Sequence, residues 1–334
     1  MKILVVGNAG FIGSFLTRRL AENGYEVVGM DINPNGHKEN LSNFILGNIQ
    51  EPEEIIKAAQ GVDVIINLAA KHHDFGVSRD EFFGVNVQGT QNILDCASQL
   101  GIKKVVFYST VAVYGNIKSY TTENTATNPV SNYGKSKLAA EKLVCAWTTQ
   151  DRSREAIIIR PTVVFGPTNY ANMYNLIDKI YKKKFIFVGK GNNIKSVAYV
   201  ENLVQATIFL IERMHPGIEI YNYSDYPQMT IEQTVVNITR NIPHNIPKVK
   251  IPLRPTLALA SVIDLLEKIT GYNFPITANR IKKFNTQTHH NSDKIRNIGF
   301  EPPIALSEGV RKTVKWYLEN RNNHKKVGEG NGEE

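Results

Sequence analysis

Met1-Lys-Ile-Leu-Val-Val-Gly-Asn-Ala-Gly-Phe-Ile-Gly-Ser-Phe-Leu16 opens the chain and decides how the rest is read. Ile3 to Val6 is a short β-branched apolar run suited to a strand buried on both faces, and glycines follow at once at 7, 10 and 13. Gly7 permits a tight turn, Gly10 lets a diphosphate approach the backbone, and Gly13 lets a helix pack closely on the strand. From Phe11 the apolar period becomes helical: Ile12, Leu16 and Leu20 stand four apart, and Gly24 is the stop. The start of that helix, at Phe11, Ile12 and Gly13, then faces the anion.

Three glycines alone describe many turns, so the following residues matter. Tyr25 to Met30 reads as a second strand ending at Asp31, where a dinucleotide fold places an acid on the adenosine ribose. A carboxylate there accepts from a ribose diol and repels a 2′-phosphate, so NAD is favoured over NADP. Residues 32–41 read as a loop and Asn43 to Leu46 as a third strand, after which Asn48 and Ile49 are placed to reach the adenine. A helix from Pro52 and a strand over Val62 to Ala70 come next, and the small end of that strand, Leu68-Ala69-Ala70, allows close passage past a ligand. Asn86 opens a further helix, closed by Gly101, and Lys104 to Ser109 is the next strand. Regular strand–helix alternation implies an α/β Rossmann fold, a doubly wound parallel sheet with its crevice at the carboxyl ends of the strands.

The chain of 334 residues divides in this reading into an NAD-binding domain over 1–165, a smaller substrate-binding domain over 166–320 with returns to the sheet, and a polar tail over 321–334. Two cysteines, Cys96 and Cys145, lie in apolar helical patterns without metal or redox spacing, which suits a reducing compartment. Lys71-His72-His73-Asp74 is the one metal-like cluster, but adjacent histidines point apart and no further ligand set accompanies them, so no metal is expected. A net charge of +8 favours acidic partners, yet no nucleic-acid module goes with it, and Lys182-Lys183-Lys184 reads as a solvated helix end. No apolar run is long enough to span a bilayer, so a cytoplasmic protein is expected.

The chemistry lies past the fifth strand. Ser109 and Thr110 put hydroxyls at its carboxyl end, and Tyr133 and Lys137 stand four apart on one face of a helix. A phenol ordinarily ionises near about 10. A nearby ammonium favours the phenolate, so Tyr133 can exchange a proton near neutral pH.

Taken together, Gly7-Asn-Ala-Gly-Phe-Ile-Gly13, Asp31, Asn67-Leu-Ala-Ala70, Asn86-Val-Gln-Gly-Thr90, Ser109-Thr-Val-Ala-Val-Tyr-Gly115, Tyr133 with Lys137, and Arg160-Pro-Thr-Val-Val-Phe-Gly-Pro167 resemble the extended short-chain dehydrogenase/reductase family. Within it they are most similar to NAD-dependent sugar-nucleotide epimerases and dehydratases. The resemblance covers about residues 1 to 320. It implies that Tyr133 is the catalytic base, that Lys137 lowers its pKa and binds the nicotinamide ribose, and that Thr110 orients the reacting hydroxyl. Asn86, Ser109 and Pro161 fall at cofactor positions, and a homodimer is implied. The family's dehydratases carry an Asp-Glu pair right after the threonine; Val111 and Ala112 stand here, so the resemblance favours epimerisation through a transient keto sugar.

Two departures bear on the substrate. An arginine that usually holds the sugar-nucleotide diphosphate is matched by Lys195, and a later Arg-x-Gly-Asp-like loop is replaced by Arg280-Ile-Lys-Lys-Phe284. Lysine neutralises phosphate but lacks the arginine fork. Pro252 to Leu266 is closer to the sterol-dehydrogenase branch, and its apolar helix can form core, line a pocket or lie on a bilayer surface. The leading expectation is therefore an NAD-dependent epimerase of a nucleotide- or polyprenyl-diphosphate sugar, with Lys195 and Arg280 at the substrate. The alternatives are a dehydrogenase or reductase of a hydrophobic or lipid-linked alcohol, and a non-catalytic dinucleotide sensor.

Overall fold

In the computed structural model, residues 1–34, 43–72, 76–116, 120–243, 250–270 and 278–321 are described, apart from the side chains of 262–270, 279, 280 and 283. In chain order the first half runs β1 (Lys2–Val6), α1 (Phe11–Glu22), β2 (Glu26–Asp31), β3 (Phe44–Leu46), α2 (Pro52–Ala58), β4 (Val64–Asn67), α3 (Arg79–Phe83), a π-helical turn (Gly84–Gln88), α4 (Gly89–Gln99), β5 (Lys104–Tyr108), a 3-10 turn (Val111–Tyr114), α5 (Asn132–Thr149) and β6 (Glu155–Pro161). The second half runs β7 (Val163–Phe165), α6 (Asn172–Tyr181), β8 (Phe187–Val188), β9 (Val197–Tyr199), α7 (Val200–Ile211), β10 (Gly217–Tyr223), α8 (Ile231–Thr239), β11 (Lys250–Ile251), α9 (Leu253–Thr270), α10 (Ala278–Asn285), α11 (Asp293–Asn297) and α12 (Leu306–Asn320).

Seven of these strands form one sheet in the order β10-β6-β5-β4-β1-β2-β3, every neighbouring pair parallel. Alternation along β1 feeds both faces. Ile3 and Val5 enter the core with Leu16 and Leu20 of α1 and Leu203 of α7. Leu4 and Val6 enter the opposite one with Ile93 of α4 and Trp147 of α5. Each such side chain contributes about 1.5–3 kcal/mol when fully buried, so both faces must be covered and the strands read as continuous apolar runs. The winding reverses between β1 and β4, and at that switch the strands' carboxyl ends leave a crevice.

The second half alternates between this sheet and a smaller layer. α7 packs on the sheet and β10 extends its edge beyond β6, whereas α6, α8 and α12 close a separate cluster around Ile177, Val235 and Val314. β7 pairs with β9, and β8 with β11, outside the main sheet.

Two local expectations are corrected. The strand over residues 62–70 narrows to Val64–Asn67 because the Asn67 Oδ1 accepts from the Ala69 N–H (3.1 Å) and turns the backbone off the ladder. The helix expected to open at Asn86 instead begins at Arg79: Ser78 and Glu81 form a reciprocal capping box, and Asn86 lies inside the π-helical turn that follows. The carboxyl end of β5 forms a 3-10 turn capped by Thr110, whose Oγ1 accepts from the Ala112 N–H (3.2 Å). His73 and Asp74 of the metal-like cluster lie outside the described residues, as does the tail beyond Arg321.

Candidate active site

The glycine turn is built by close contact. Gly7 has φ +84°, and a Cβ there would stand 2.8 Å from the Ala69 nitrogen and 3.0 Å from the Leu68 carbonyl carbon, so the loops after β1 and β4 touch directly. A Cβ on Gly13 would stand 2.1 Å from the Gly7 carbonyl oxygen. At exposed Gly10 only the Gly7 oxygen comes near, at 3.3 Å, and the outward side is bare. α1 starts there, at Phe11 and Ile12, with no side-chain cap and no acid in its first turn. Its N–H groups and dipole are thus available to an anion.

Asp31 ends β2 beside this turn. Its Oδ2 accepts from the Ala9 N–H and its Oδ1 from the Asn33 N–H, both at 2.9 Å, which fixes the carboxylate and leaves further lone pairs for a diol. Asn48 is partly engaged in its own turn, its Oδ1 accepting from the Gln50 N–H (3.0 Å). The side chain of Ile49, expected at the adenine, is buried in the core against Gly89, and its carbonyl accepts from the Asn92 Nδ2 (2.9 Å).

A polar molecule fits this cradle. Among the described residues, the buried amide of Asn8, the Ser109 Oγ and the Thr162 Oγ1 have no hydrogen-bond partner. Each follows the carboxyl end of a central strand, β1, β5 or β6, and Pro161 ends β6 next to Thr162. Such orphaned groups each cost about 1–3 kcal/mol, so three at one crevice mark a place for a ligand or water with matching polar atoms.

Two elements bring Tyr133 and Lys137 to the end of β5. A Cβ on Gly134 would stand 2.8 Å from the Ala112 carbonyl oxygen, so α5 abuts the turn that Thr110 caps. Lys137 reaches under it, with its Nζ 4.1 Å from the Phe107 ring centroid. Asn86 ties these parts to the cofactor side. Its Nδ2 donates to the Lys71 carbonyl (3.0 Å) and the Ser136 Oγ (2.8 Å), while its Oδ1 accepts from the Lys71 N–H (2.8 Å). Expected at the cofactor, Asn86 has its amide occupied in holding the loop after Ala70 to α5.

Lys137 is 1% exposed, and burial pushes its pKa down to about 7, against an opposing pull from Glu141 one helical turn along. That glutamate is buried too and receives two bonds from Arg160, Nε to Oε1 at 2.9 Å and Nη2 to Oε2 at 2.6 Å. The Arg160 Nη1 donates to the Tyr114 hydroxyl (2.8 Å), which donates to the Asn222 Oδ1 (2.7 Å). Burial opposes the Arg160 charge, but Glu141 and Tyr114 more than offset it. Sequence reading missed this network although Glu141 stands four after Lys137 and Arg160 opens a quoted motif.

Lys195 lies just before β9, partly buried, and burial pushes its pKa down to about 8. The neighbouring Ser196 Oγ accepts from the His290 N–H (2.9 Å), and His290 stacks near Tyr114 at 6.1 Å between ring centroids. Segment 288–290 thus links Lys195 to the side of the network away from Lys137. Arg280 lies in α10, and its side chain is outside the described residues.

A glycine turn at the switch of a parallel sheet, an acid ending its second strand, and a tyrosine–lysine pair at the end of the fifth define a nucleotide-dependent enzyme of the short-chain dehydrogenase type. More narrowly, the chain belongs to the NAD dependent epimerase/dehydratase family, whose profile matches residues 3–223. It is 34% identical over 320 residues to the N-acetyl-alpha-D-glucosaminyl-diphospho-ditrans,octacis-undecaprenol 4-epimerase of Escherichia coli O157:H7, covering 94% of each chain. To the decarboxylating sterol-4-alpha-carboxylate 3-dehydrogenase of Mus musculus it is 24% identical over 328 residues, covering 94% of this chain and 90% of the other. The UDP-glucose 4-epimerase of Thermotoga maritima, solved with UDP-glucose, shares the fold with a TM-score of 0.76 at 23% identity, over 96% of this chain and 100% of that one.

Proposed function

We propose that the chain is an NAD-dependent epimerase that inverts C4 of a sugar carried on a diphosphate, with a polyprenyl carrier the better match. One observation supports the reaction type: the helix carrying Tyr133 and Lys137 abuts the turn that Thr110 caps, and the two residues after Thr110 are Val111 and Ala112, neither able to drive loss of water. The undecaprenol-linked relative, similar over nearly the whole chain, supports C4 and the polyprenyl carrier.

In this reading the turn from Gly7 to Gly13 holds the cofactor diphosphate on the start of α1, and Asp31 takes the adenosine diol. When bound, NAD supplies a two-electron acceptor that is restored within each cycle. The Thr110 hydroxyl orients the sugar alcohol, and the Tyr133 phenol oxygen takes its proton and returns it after the keto sugar has turned over. Lys137 holds positive charge beside that oxygen. Cytoplasmic placement and a homodimer belong to the proposal on the strength of the family resemblance.

Incubation with UDP-N-acetylglucosamine and with polyprenyl-diphosphate N-acetylglucosamine is expected to give the C4 epimer without net NADH, faster on the polyprenyl carrier. Stoichiometric NADH, or a product lacking water, would reject the reading and favour net oxidation or dehydration. Tyr133→Phe is expected to abolish turnover while NAD affinity stays within about twofold, since one hydroxyl is removed at the reacting end only.

A further inference from the structure

We infer that the face formed by β8, β11 and the start of α9 is a docking surface for an anionic phospholipid bilayer. β8 and β11 pair in parallel, Phe187 opposite Lys250 and Val188 opposite Ile251. Val188, Leu253 and Leu257 hold α9 to this ribbon and to α10 through Ala260, Ala278 and Ile281. That packing leaves apolar side chains outside: Ile186 is 54% exposed, Ile251 36% and Leu259 66%, with Pro252 and Ala258 also exposed.

Cations surround them. Between the ribbon and α9 lies a crevice of about 680 Å³ lined by Lys190, Lys250, Arg254 and Asn285 among others. Lys190 and Arg254 are exposed, as are Lys183 and Lys184 before β8 and Lys282 on α10, and none of these five pairs with a carboxylate among the described residues. Among the acids with described side chains, Glu232 pairs with Lys250 (2.7 Å) and Asp178 with Lys182 (2.8 Å). α9 has no acid in its first turn.

Protruding aliphatic groups ringed by unneutralised cations match the interfacial zone of an acidic membrane, where apolar tips enter the headgroup layer and lysines meet phosphates. Among the described residues no helix is long and apolar enough to cross a membrane, so contact is with the surface. The inference gains purpose from the proposed polyprenyl carrier, which is embedded in a bilayer, and rests on that reading for purpose only. A protein partner is the competing occupant, but a face whose apolar groups protrude among several exposed lysines, unpaired among the described residues, fits a diffuse anionic surface better than a shaped one.

The test is flotation of the full chain, loaded with NAD, on vesicles of phosphatidylcholine with and without phosphatidylglycerol. The expected result is co-flotation with the phosphatidylglycerol vesicles only, weakened by salt. Each cation near such a surface is worth roughly fivefold in partitioning, so the double variant Lys190→Glu/Arg254→Glu should bind roughly 25-fold more weakly or worse. Ile251→Asp/Leu259→Asp should lose binding even at low salt. Both variants alter exposed side chains and are expected to keep the wild-type rate on detergent-solubilised polyprenyl-diphosphate sugar. Wild-type protein that stays unbound on both vesicles overturns the docking surface, as does binding indifferent to these substitutions, or an Ile251→Asp/Leu259→Asp effect confined to oligomeric state. Vesicle binding without epimerisation in detergent overturns the proposed reaction and leaves the surface standing.

Discussion

Replacing Glu141 by Gln tests how Lys137 keeps its charge. In the proposed reaction Tyr133 and Lys137 have two charge states, phenol with amine or phenolate with ammonium, and only the second provides a base. Burial favours the first, pushing Lys137 down to about 7, and Glu141 works against burial. Among the ionisable groups on elements packed around α5, Arg160 on β6 bonds Glu141, Tyr114 in the 3-10 turn bonds Arg160, and burial pushes the thiols of Cys145 on α5 and Cys96 on α4 up. The substitution keeps an amide oxygen that can accept from Arg160 but removes the carboxylate charge that opposes the effect of burial on Lys137. Lys137 should then be mostly neutral at pH 7, and in the proposed reaction the Tyr133 oxygen loses the positive charge that favours its ionised form. General-base catalysis is worth about 10²–10⁴-fold, so kcat at pH 7 should fall by roughly tenfold or more and recover as pH rises toward the phenol range. Loss of one partner of a buried pair also costs about 3–5 kcal/mol, so the measurement is the kcat–pH profile of folded, NAD-saturated protein at a temperature well below its unfolding. A kcat lowered by the same factor at every pH would assign Glu141 a structural role only and refute the reasoning.

Three further outcomes follow from the same geometry. With Lys137 depressed to about 7, the unfolded chain holds a proton that the folded chain has released between pH 7 and 10.5, so wild-type stability should gain up to about 1.4 kcal/mol per pH unit from this residue across that window. Apo Lys137→Met should be the more stable protein at pH 6 and lose most of that advantage by pH 10; parallel Tm–pH curves would contradict it. Asp31→Ser should weaken NAD by roughly 10–100-fold, the worth of hydrogen bonds to a charged group, and raise NADP relative to NAD; unchanged fluorescence titrations would remove Asp31 from the cofactor site. Gly13→Ala places a methyl 2.1 Å from the Gly7 carbonyl oxygen and should cost about 1–3 kcal/mol together with NAD affinity, whereas a wild-type Tm with full affinity would show that the turn is not held as described.

The central sheet was legible because a strand buried on both faces must be a continuous apolar run, and each such run ends in residues that open a crevice. Gly7, Asp31, Thr110, Tyr133 and Lys137 could be picked out for a related reason: their chemistry is visible in residue type and local spacing. The capping box at Ser78 and Glu81 was equally local and was overlooked, which displaced a helix start by seven residues, from Arg79 to Asn86. What spacing does not carry is contact between distant segments. Ile49 stood where adenine would be met, but Gly89, 40 positions on, leaves a hollow that its side chain fills. Arg160 and Glu141 lie 19 residues apart on a strand and a helix with no common period, and β8 meets β11 over only two residue pairs. The face proposed to meet a bilayer follows from that late pairing, so its lysines read only as scattered charge beforehand.

The buried amide of Asn86 acts as a fixed spacer. With three bonds at 2.8–3.0 Å it joins the backbone at Lys71, next to the loop that borders the glycine turn, to Ser136, on α5 between Tyr133 and Lys137. It therefore sets how far the cofactor's seat stands from the base. Tightness of binding and correctness of alignment are, in this fold, governed by different residues. Evolution or design can lengthen or shorten that span at a single position, retuning which atom of a bound sugar is presented, without rebuilding either wall.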